Sequence, residues 1–148
     1  MGRLIIRKAI RDDITDILSV ESTSFNEPWP EDIFYQEIVN NAYANYFVAT
    51  LNSKVIGYAG LWVVIDDAQI TNIAIHSDYR GKGYGEQLFQ FMLHQALMLG
   101  AQRLSLEVRV SNLAAQRLYE KYGLVPGGIR KKYYTDNQED AIVMWVNL

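Results

Sequence analysis

Apolar residues recur along this chain with a period that switches between two and about 3.6. Residues 3–9 (RLIIRKA) predict a strand. Residues 12–23 predict a helix, with Ile14, Ile17, Leu18 and Glu21 spaced near 3.6. PWPEDIFYQEI opens a second helix with Pro30 at its first position, where no N–H bond is lost. Residues 44–51 and 54–65 predict strands around an Asn52-Ser53 hairpin turn, and 68–75 (AQITNIAI) another strand. Over 84–99 a helix is expected, with Gln87, Gln90 and His94 as its wet stripe against Leu88, Phe91, Met92 and Leu99. RLSLEVRV, residues 103–110, alternates like a strand. Ser111 then caps a helix over 112–122, which Gly123 ends. Residues 125–134 and 141–146 complete the set as a last pair of strands. The order β-α-α-β-β-β-α-β-α-β-β implies an α/β fold rather than a helix bundle or an all-β barrel.

A chain of 148 residues without repeats, low-complexity tracts or a linker reads as one domain over 1–148. The net charge of −3 argues against a general affinity for nucleic acid and suits a basic partner. There is no cysteine, which excludes disulfides, thiolate metal sites and a cysteine nucleophile. It also fits a reducing cytoplasm. MGRLIIRKAIRDD has no long apolar stretch, so a secretion signal is not expected. Ile6 stands where a myristoylation motif needs Ser or Thr. AGLWVVI, 59–65, is too short to span a bilayer, and no membrane partner is expected. His76 follows a strand without a second ligand at metal spacing, so no metal is expected, and His94 belongs to a wet surface.

One stretch departs from this ordinary pattern. In YRGKGYGEQL, residues 79–88, three glycines fall within five positions between a predicted strand and a predicted helix. Glycines let the backbone turn tightly and let a bulky anion approach its amides. Those amides lie at the positive end of a helix dipole. Arg80 and Lys82 add charge nearby. This is the physics of a phosphate cradle, and its bland alternative is a plain glycine turn. The P-loop pattern fails because Gly83 follows Lys82, and the dinucleotide pattern fails at Glu86. What remains is R-G-K-G-Y-G, residues 80–85.

That R-x-x-G-x-G, with NIAIHSDY just upstream, resembles the pyrophosphate-binding signature of the GNAT acetyltransferases. The glycines alone specify only that superfamily. FNEPWP near residue 25, LEVRVSNLAAQRLYEKYGL at 106–124, IRKKYY at 129–134 and EDAIVM at 139–144 together resemble its RimI-type subfamily. Those enzymes acetylate the N-terminal alanine of a small-subunit ribosomal protein in bacteria. The resemblance implies the GNAT fold, a mixed and mostly antiparallel central sheet flanked by helices. It implies acetyl-CoA as co-substrate, no metal, a protein N-terminus as partner and a cytoplasmic location.

The family's roles carry over by position. The backbone of Ile73, Ala74 and Ile75 would hold the pantetheine arm. Backbone groups of Gly81, Lys82, Gly83, Tyr84, Gly85 and Glu86 would take the pyrophosphate, and Asn112 would bond the coenzyme further along. Glu107 matches the general base and Tyr119 the general acid, while Trp29 and Tyr134 would line the acceptor cleft. Two departures stand on the acceptor side. Pro30 follows Trp29 where the subfamily more often has Ser or Thr, and Gly127-Gly128 loosens the strand after Val125. A GNAT enzyme acting on a small-molecule amine is the alternative reading, and a non-catalytic acyl-CoA-binding module a third.

Elementary chemistry bears on these roles. Transfer to an amine needs a neutral nitrogen. With a pKa of about 7.7–8.0, on the order of a tenth of an α-amine is neutral at pH 7, against about a few parts in ten thousand of a lysine. A chain terminus is therefore the easier nucleophile. Glu107 points away from Leu104, Leu106 and Val108 on its alternating strand, so it also fits an unremarkable solvent-facing residue. Protonating a thiolate from a phenol is uphill by roughly 2 kcal/mol, so Tyr119 is expected to hydrogen-bond the thiolate first. Tyr119 also fits a core aromatic beside Leu118 and Tyr122. Arg130-Lys131-Lys132 reads as a solvated strand end, and Asp136, Glu139 and Asp140 as an acidic hairpin tip able to meet a basic peptide.

Overall fold

The computed structural model describes residues 3–25 and 28–148. The expectations about a leader or lipid at Met1-Gly2, and Asn26-Glu27 of the FNEPWP motif, lie outside the described residues. Strands β1 (Leu4–Lys8), β2 (Ala44–Leu51), β3 (Lys54–Val64), β4 (Asp67–Ile75), β5 (Arg103–Arg109), β6 (Val125–Arg130) and β7 (Ala141–Asn147) form one sheet. Its order is β1-β2-β3-β4-β5-β7-β6. Among the described residues only the β4–β5 pairing is parallel. Helices α1 (Ile14–Ser24), α2 (Glu31–Tyr35, continued by a π turn Gln36–Asn40), α3 (Tyr84–Met98) and α4 (Leu113–Lys121) flank it. This is the expected mixed, mostly antiparallel α/β architecture.

Alternation along the strands divides the core in two. From β2, Tyr46 and Val48 point to a cluster with Ile14, Ile17 and Val20 of α1 and Phe34 of α2. Phe47 and Ala49 point to the other side, against Leu88, Phe89, Met92 and Ala96 of α3. Those four α3 residues recur on one helical face, which is why the helix seats there. Leu104, Leu106 and Val108 of β5 join the α3 cluster. Glu107 therefore faces the α1–α2 side.

The parallel pairing is short. β4 and β5 are in register only at Asp67↔Arg103, Ala68↔Leu104 and Gln69↔Ser105. Beyond Gln69 the two strands part, and among the described residues no strand covers the edge of β4 from Ile70 to Ile75 on its β5 side. Backbone groups on such an edge remain available to a ligand, save the Ile75 carbonyl, which accepts from Arg80 Nε at 2.9 Å.

Several local details differ from the sequence reading. Pro30 is the N-cap of α2 rather than its first residue, since its ψ of 163° is still extended. Asn112, not Ser111, caps α4: its Oδ1 accepts from the Ala115 N–H at 3.1 Å. The Ser111 N–H instead donates to Glu139. β6 stops at Arg130, where it pairs with Ala141, because Lys132 turns the chain at φ +50°. Leu99 lies just past the end of α3 and is exposed rather than on its apolar face. Gly123 ends α4 in the left-handed region, as expected.

Candidate active site

A cavity of about 510 Å³ opens where β4 and β5 part. Ile70 and Ile73 of β4 form one wall, and Leu106 and Val108 of β5 the other. Glu107, Tyr119, Asn112, Trp29 and Tyr134 all line it, so the structure brings five predicted side chains together. Ile73 lines it too, whereas the side chains of Ala74 and Ile75 turn into the two cores. Their backbone continues the free edge of β4 toward the glycine loop.

That loop lies outside the cavity, beyond a 3-10 turn at Ser77–Tyr79. Gly81 and Gly83 have φ of +75° and +83°, where an L side chain is strained. A Cβ on either would meet nothing within 4 Å, so the space in front of them is open. Among the described residues, none accepts from the backbone N–H groups of Gly81, Lys82, Gly83, Tyr84, Gly85 or Glu86. Six amides thus lie at and just before the start of a 15-residue helix. That is a fit for a diphosphate.

The side chains around the loop divide their work. Lys82 stays exposed, and its Nζ lies 6.0 Å from the Tyr79 ring centre, with Lys54 Nζ from β3 at 5.5 Å. Arg80 is also exposed but is engaged within the protein. Its guanidinium donates to the carbonyls of Ile75 and Thr23 and to Ser24 Oγ, which ties the loop to β4 and α1. The Glu86 carboxylate accepts from Lys121 Nζ at 2.7 Å and from the Tyr122 hydroxyl at 2.5 Å, locking α3 to α4. Hydrogen bonding by Lys121 and then Tyr122 lowers the pKa of Glu86.

Glu107 and Tyr119 sit in different surroundings. The Glu107 carboxylate accepts from Gln69 Nε2 at 3.1 Å and faces Arg130 Nε at 3.1 Å. Tyr119 packs on Phe89 with ring centres 4.9 Å apart. Burial pushes its phenol up to about 12. No described residue bonds its hydroxyl, which opens on the cavity.

The acceptor side is tied down by buried polar groups. Glu21 of α1 is fully enclosed yet borders the cavity. One of its oxygens accepts a hydrogen bond from the Tyr58 hydroxyl, and the other accepts from the Trp29 N–H at 2.8 Å. Burial raises the Glu21 pKa against those two bonds. Asn72 donates to the Tyr58 oxygen and accepts from Tyr46, so β3 and β4 brace the Trp29 segment. Opposite, Arg109 lies 3.9 Å from the centre of the Tyr134 ring. The same guanidinium donates to Asp136 at 2.9 Å and to Glu139 at 3.2 Å. Hydrogen bonds from Ser111 and Arg109 hold the Glu139 carboxyl down at about 2. Burial pushes Tyr134 up to about 12 in spite of Arg109. The acidic residues of this hairpin thus order it internally.

Gln69, Arg109, Arg130, Glu21 and Asn72 were not singled out by the sequence as site residues. Gln69 and Arg109 carried a signal, since both are polar residues on strands whose alternation places them on the face of Glu107. Arg130 was read as a solvated strand end, but its Nε reaches Glu107. His76 uses Nδ1 to accept from the Asp78 N–H, which serves the turn. No helix of the described residues is long and apolar enough to cross a membrane.

Residues 11–124 match the model of the acetyltransferase (GNAT) family. A proposed [ribosomal protein bS18]-alanine N-acetyltransferase of Bacillus subtilis is 51% identical over 143 residues, 97% of this chain and 95% of that protein. The [ribosomal protein bS18]-alanine N-acetyltransferase of Escherichia coli K12 is 37% identical over 134 residues, 89% of each chain. The crystal structure of the E. coli ribosomal-protein-S18-alanine N-acetyltransferase superposes with a TM-score of 0.91 at 33% identity, covering 98% of this chain and 94% of that one.

Proposed function

This chain belongs to the GNAT family of acetyltransferases, and from that premise we propose that residues 1–148 form one cytoplasmic catalytic domain that acetylates the N-terminal alanine of ribosomal protein bS18. The observation that carries the mechanism is the convergence of Glu107 and Tyr119 on one cavity at the point where β4 and β5 part.

The amides of Gly81 through Glu86 hold the diphosphate of acetyl-CoA, and the free edge of β4 at Ile73–Ile75 guides the pantetheine arm into the gap. Asn112 spends its Oδ1 on the α4 cap and keeps its amide NH₂ for the coenzyme. Bound there, acetyl-CoA supplies an activated acyl group as a thioester. Trp29 and Tyr134 flank the entry for the peptide.

The neutral α-amine attacks the thioester carbonyl carbon. A C–N bond forms, the C–S bond breaks, and the nitrogen loses a proton toward Glu107, directly or through one water. The leaving sulfur departs as a thiolate beside the Tyr119 hydroxyl. A phenol at about 12 facing a thiol near 8.5 makes full proton transfer uphill by roughly 5 kcal/mol. Tyr119 therefore donates a hydrogen bond to the thiolate, and the thiol's proton arrives later.

Mass spectrometry tests the reading. The protein is incubated with acetyl-CoA and the host's ribosomal proteins, with free spermidine in a parallel reaction, and each acetyl group is located by fragmentation. Acetyl on the α-amine of bS18 is expected. Acetylated spermidine with every peptide unmodified would refute it in favour of a small-amine enzyme.

A further inference from the structure

The Glu107 carboxylate is held from two sides by residues of two other strands. Gln69, on β4, donates its Nε2 to Oε2 at 3.1 Å and reaches Oε1 at 3.4 Å. Arg130, at the end of β6, places Nε 3.1 Å from Oε1. The carboxylate is about nine-tenths covered, whereas the Arg130 side chain is mostly exposed.

The position of Gln69 in the sheet gives this contact its meaning. Gln69↔Ser105 is the last rung before β4 and β5 separate, and Glu107 lies two residues further along β5 on the same face. Past that rung no strand pairing fixes the side chains of β5 relative to β4. The Gln69 amide spans the mouth of the gap and restores one connection there. Its partner is the one acidic side chain of β5 that faces the cavity. Arg130 closes the opposite side across β7: its partner there is Ala141 and that of Glu107 is Val143, so the two residues sit on the strands that flank β7, offset by two positions.

We propose that Gln69 and Arg130 are positioning residues for the reaction: together they fix the rotamer of Glu107 so that its free carboxylate edge faces the incoming amine. The proposal rests on the assignment of Glu107 as base. A carboxylate on a long side chain at an open strand edge has several staggered rotamers of similar energy. Two donors on different strands select one. A misplacement near 1 Å costs on the order of 100-fold in rate, so the expected loss is large for two residues that touch no substrate.

Steady-state kinetics with acetyl-CoA and an alanine-initiated bS18 peptide tests it. Gln69→Leu and Gln69→Met keep the volume and remove the donor, and each should lower kcat by about 10- to 100-fold while KM for acetyl-CoA stays unchanged. Gln69→Lys restores a donor and should recover part of the loss. Arg130→Met should lower kcat by a smaller factor, and Arg130→Lys should return most of it. Placed on Glu107→Gln, the Gln69→Leu change should cost nothing further, because the group it positions is already disabled. Unfolding temperatures of all variants are measured alongside.

Wild-type kcat in both Gln69→Leu and Gln69→Met, with Glu107→Gln impaired, would overturn the positioning role and leave the base assignment standing. A full-strength Gln69→Leu effect on top of Glu107→Gln would also overturn it, as a general structural effect. Wild-type kcat in Glu107→Gln itself would remove the base assignment, and the positioning role with it.

Discussion

Glu107 and Tyr119 reach the same gap in the sheet from opposite faces. Glu107 projects from β5 toward the α1–α2 side, while Tyr119 rises from α4 within the cluster that holds Phe89, Leu106 and Val108. Only where β4 and β5 part can side chains on the two faces share one space. In the proposed reaction this sets the base for the amine and the donor for the sulfur on opposite faces of the sheet. Glu107→Gln should lower kcat by about 10²- to 10⁴-fold, the usual range for a positioned acid or base. Tyr119→Phe loses one hydrogen bond to a charged sulfur, about 1.5–3 kcal/mol, and should lower kcat by about 10- to 100-fold. Both should leave the affinity for acetyl-CoA intact, as read by calorimetry.

The pH dependence separates the amine from the tyrosine. The rate on an alanine-initiated peptide should rise with pH as the α-amine loses its proton, levelling above about 8. Burial pushes the phenols of Tyr119 and Tyr134 up to about 12, so neither should lose its proton on the alkaline side below about pH 10. The profile should stay flat to about pH 10. A rate that falls between pH 8 and 10 in the wild type but not in Tyr119→Phe would contradict the shielded phenol.

Gly83 offers a test of the donor site with an internal control. Gly83 and Gly100 have nearly the same φ, +83° and +88°, and a Cβ on either meets nothing within 4 Å. Gly→Ala should therefore cost about 1–2 kcal/mol of stability at each, from left-handed strain alone. At Gly83, however, the methyl would stand in front of the free amides. Gly83→Ala should raise the Kd for acetyl-CoA at least about tenfold, and Gly100→Ala should not. Equal effects on Kd would mean that the loop does not hold the coenzyme.

How much of this was legible in the sequence follows from the range of the interactions. Element order and the two-sided core came through because β5 and α3 carry clean periodicities: Leu104, Leu106 and Val108 at period two, Leu88, Met92 and Ala96 at period four. The glycine loop announced itself by composition, since few other demands place three glycines in five positions. The caps were less legible. Ser111 and Asn112 are both good N-caps, and the choice was made by Glu139, which takes the Ser111 N–H from 28 residues away. The supporting polar groups were least legible. Gln69 and Arg130 meet Glu107 across separations of 38 and 23 positions, set by strand order rather than by any local pattern. The bonds of Arg80 to Thr23 and Ser24 likewise depend on where the end of α1 falls.

Arg109 should govern the acceptor without touching the donor. Its guanidinium stacks on Tyr134 and pairs with Asp136 and Glu139, so one side chain fixes the hairpin against the strand that carries Glu107. Lysine cannot reproduce a stacked planar fork. Arg109→Lys should raise KM for the peptide about tenfold and leave KM for acetyl-CoA unchanged, with a modest fall in unfolding temperature. A rise in both Michaelis constants would indicate that the hairpin supports the whole cavity instead.

A crystal structure of the protein with acetyl-CoA would show where the donor lies. The expected arrangement has the diphosphate on the amides of Gly81–Glu86, the pantetheine arm along Ile73–Ile75, and the thioester between β4 and β5 with Glu107 and Tyr119 on either side. Coenzyme bound elsewhere, with those amides bonded to protein or water, would contradict it.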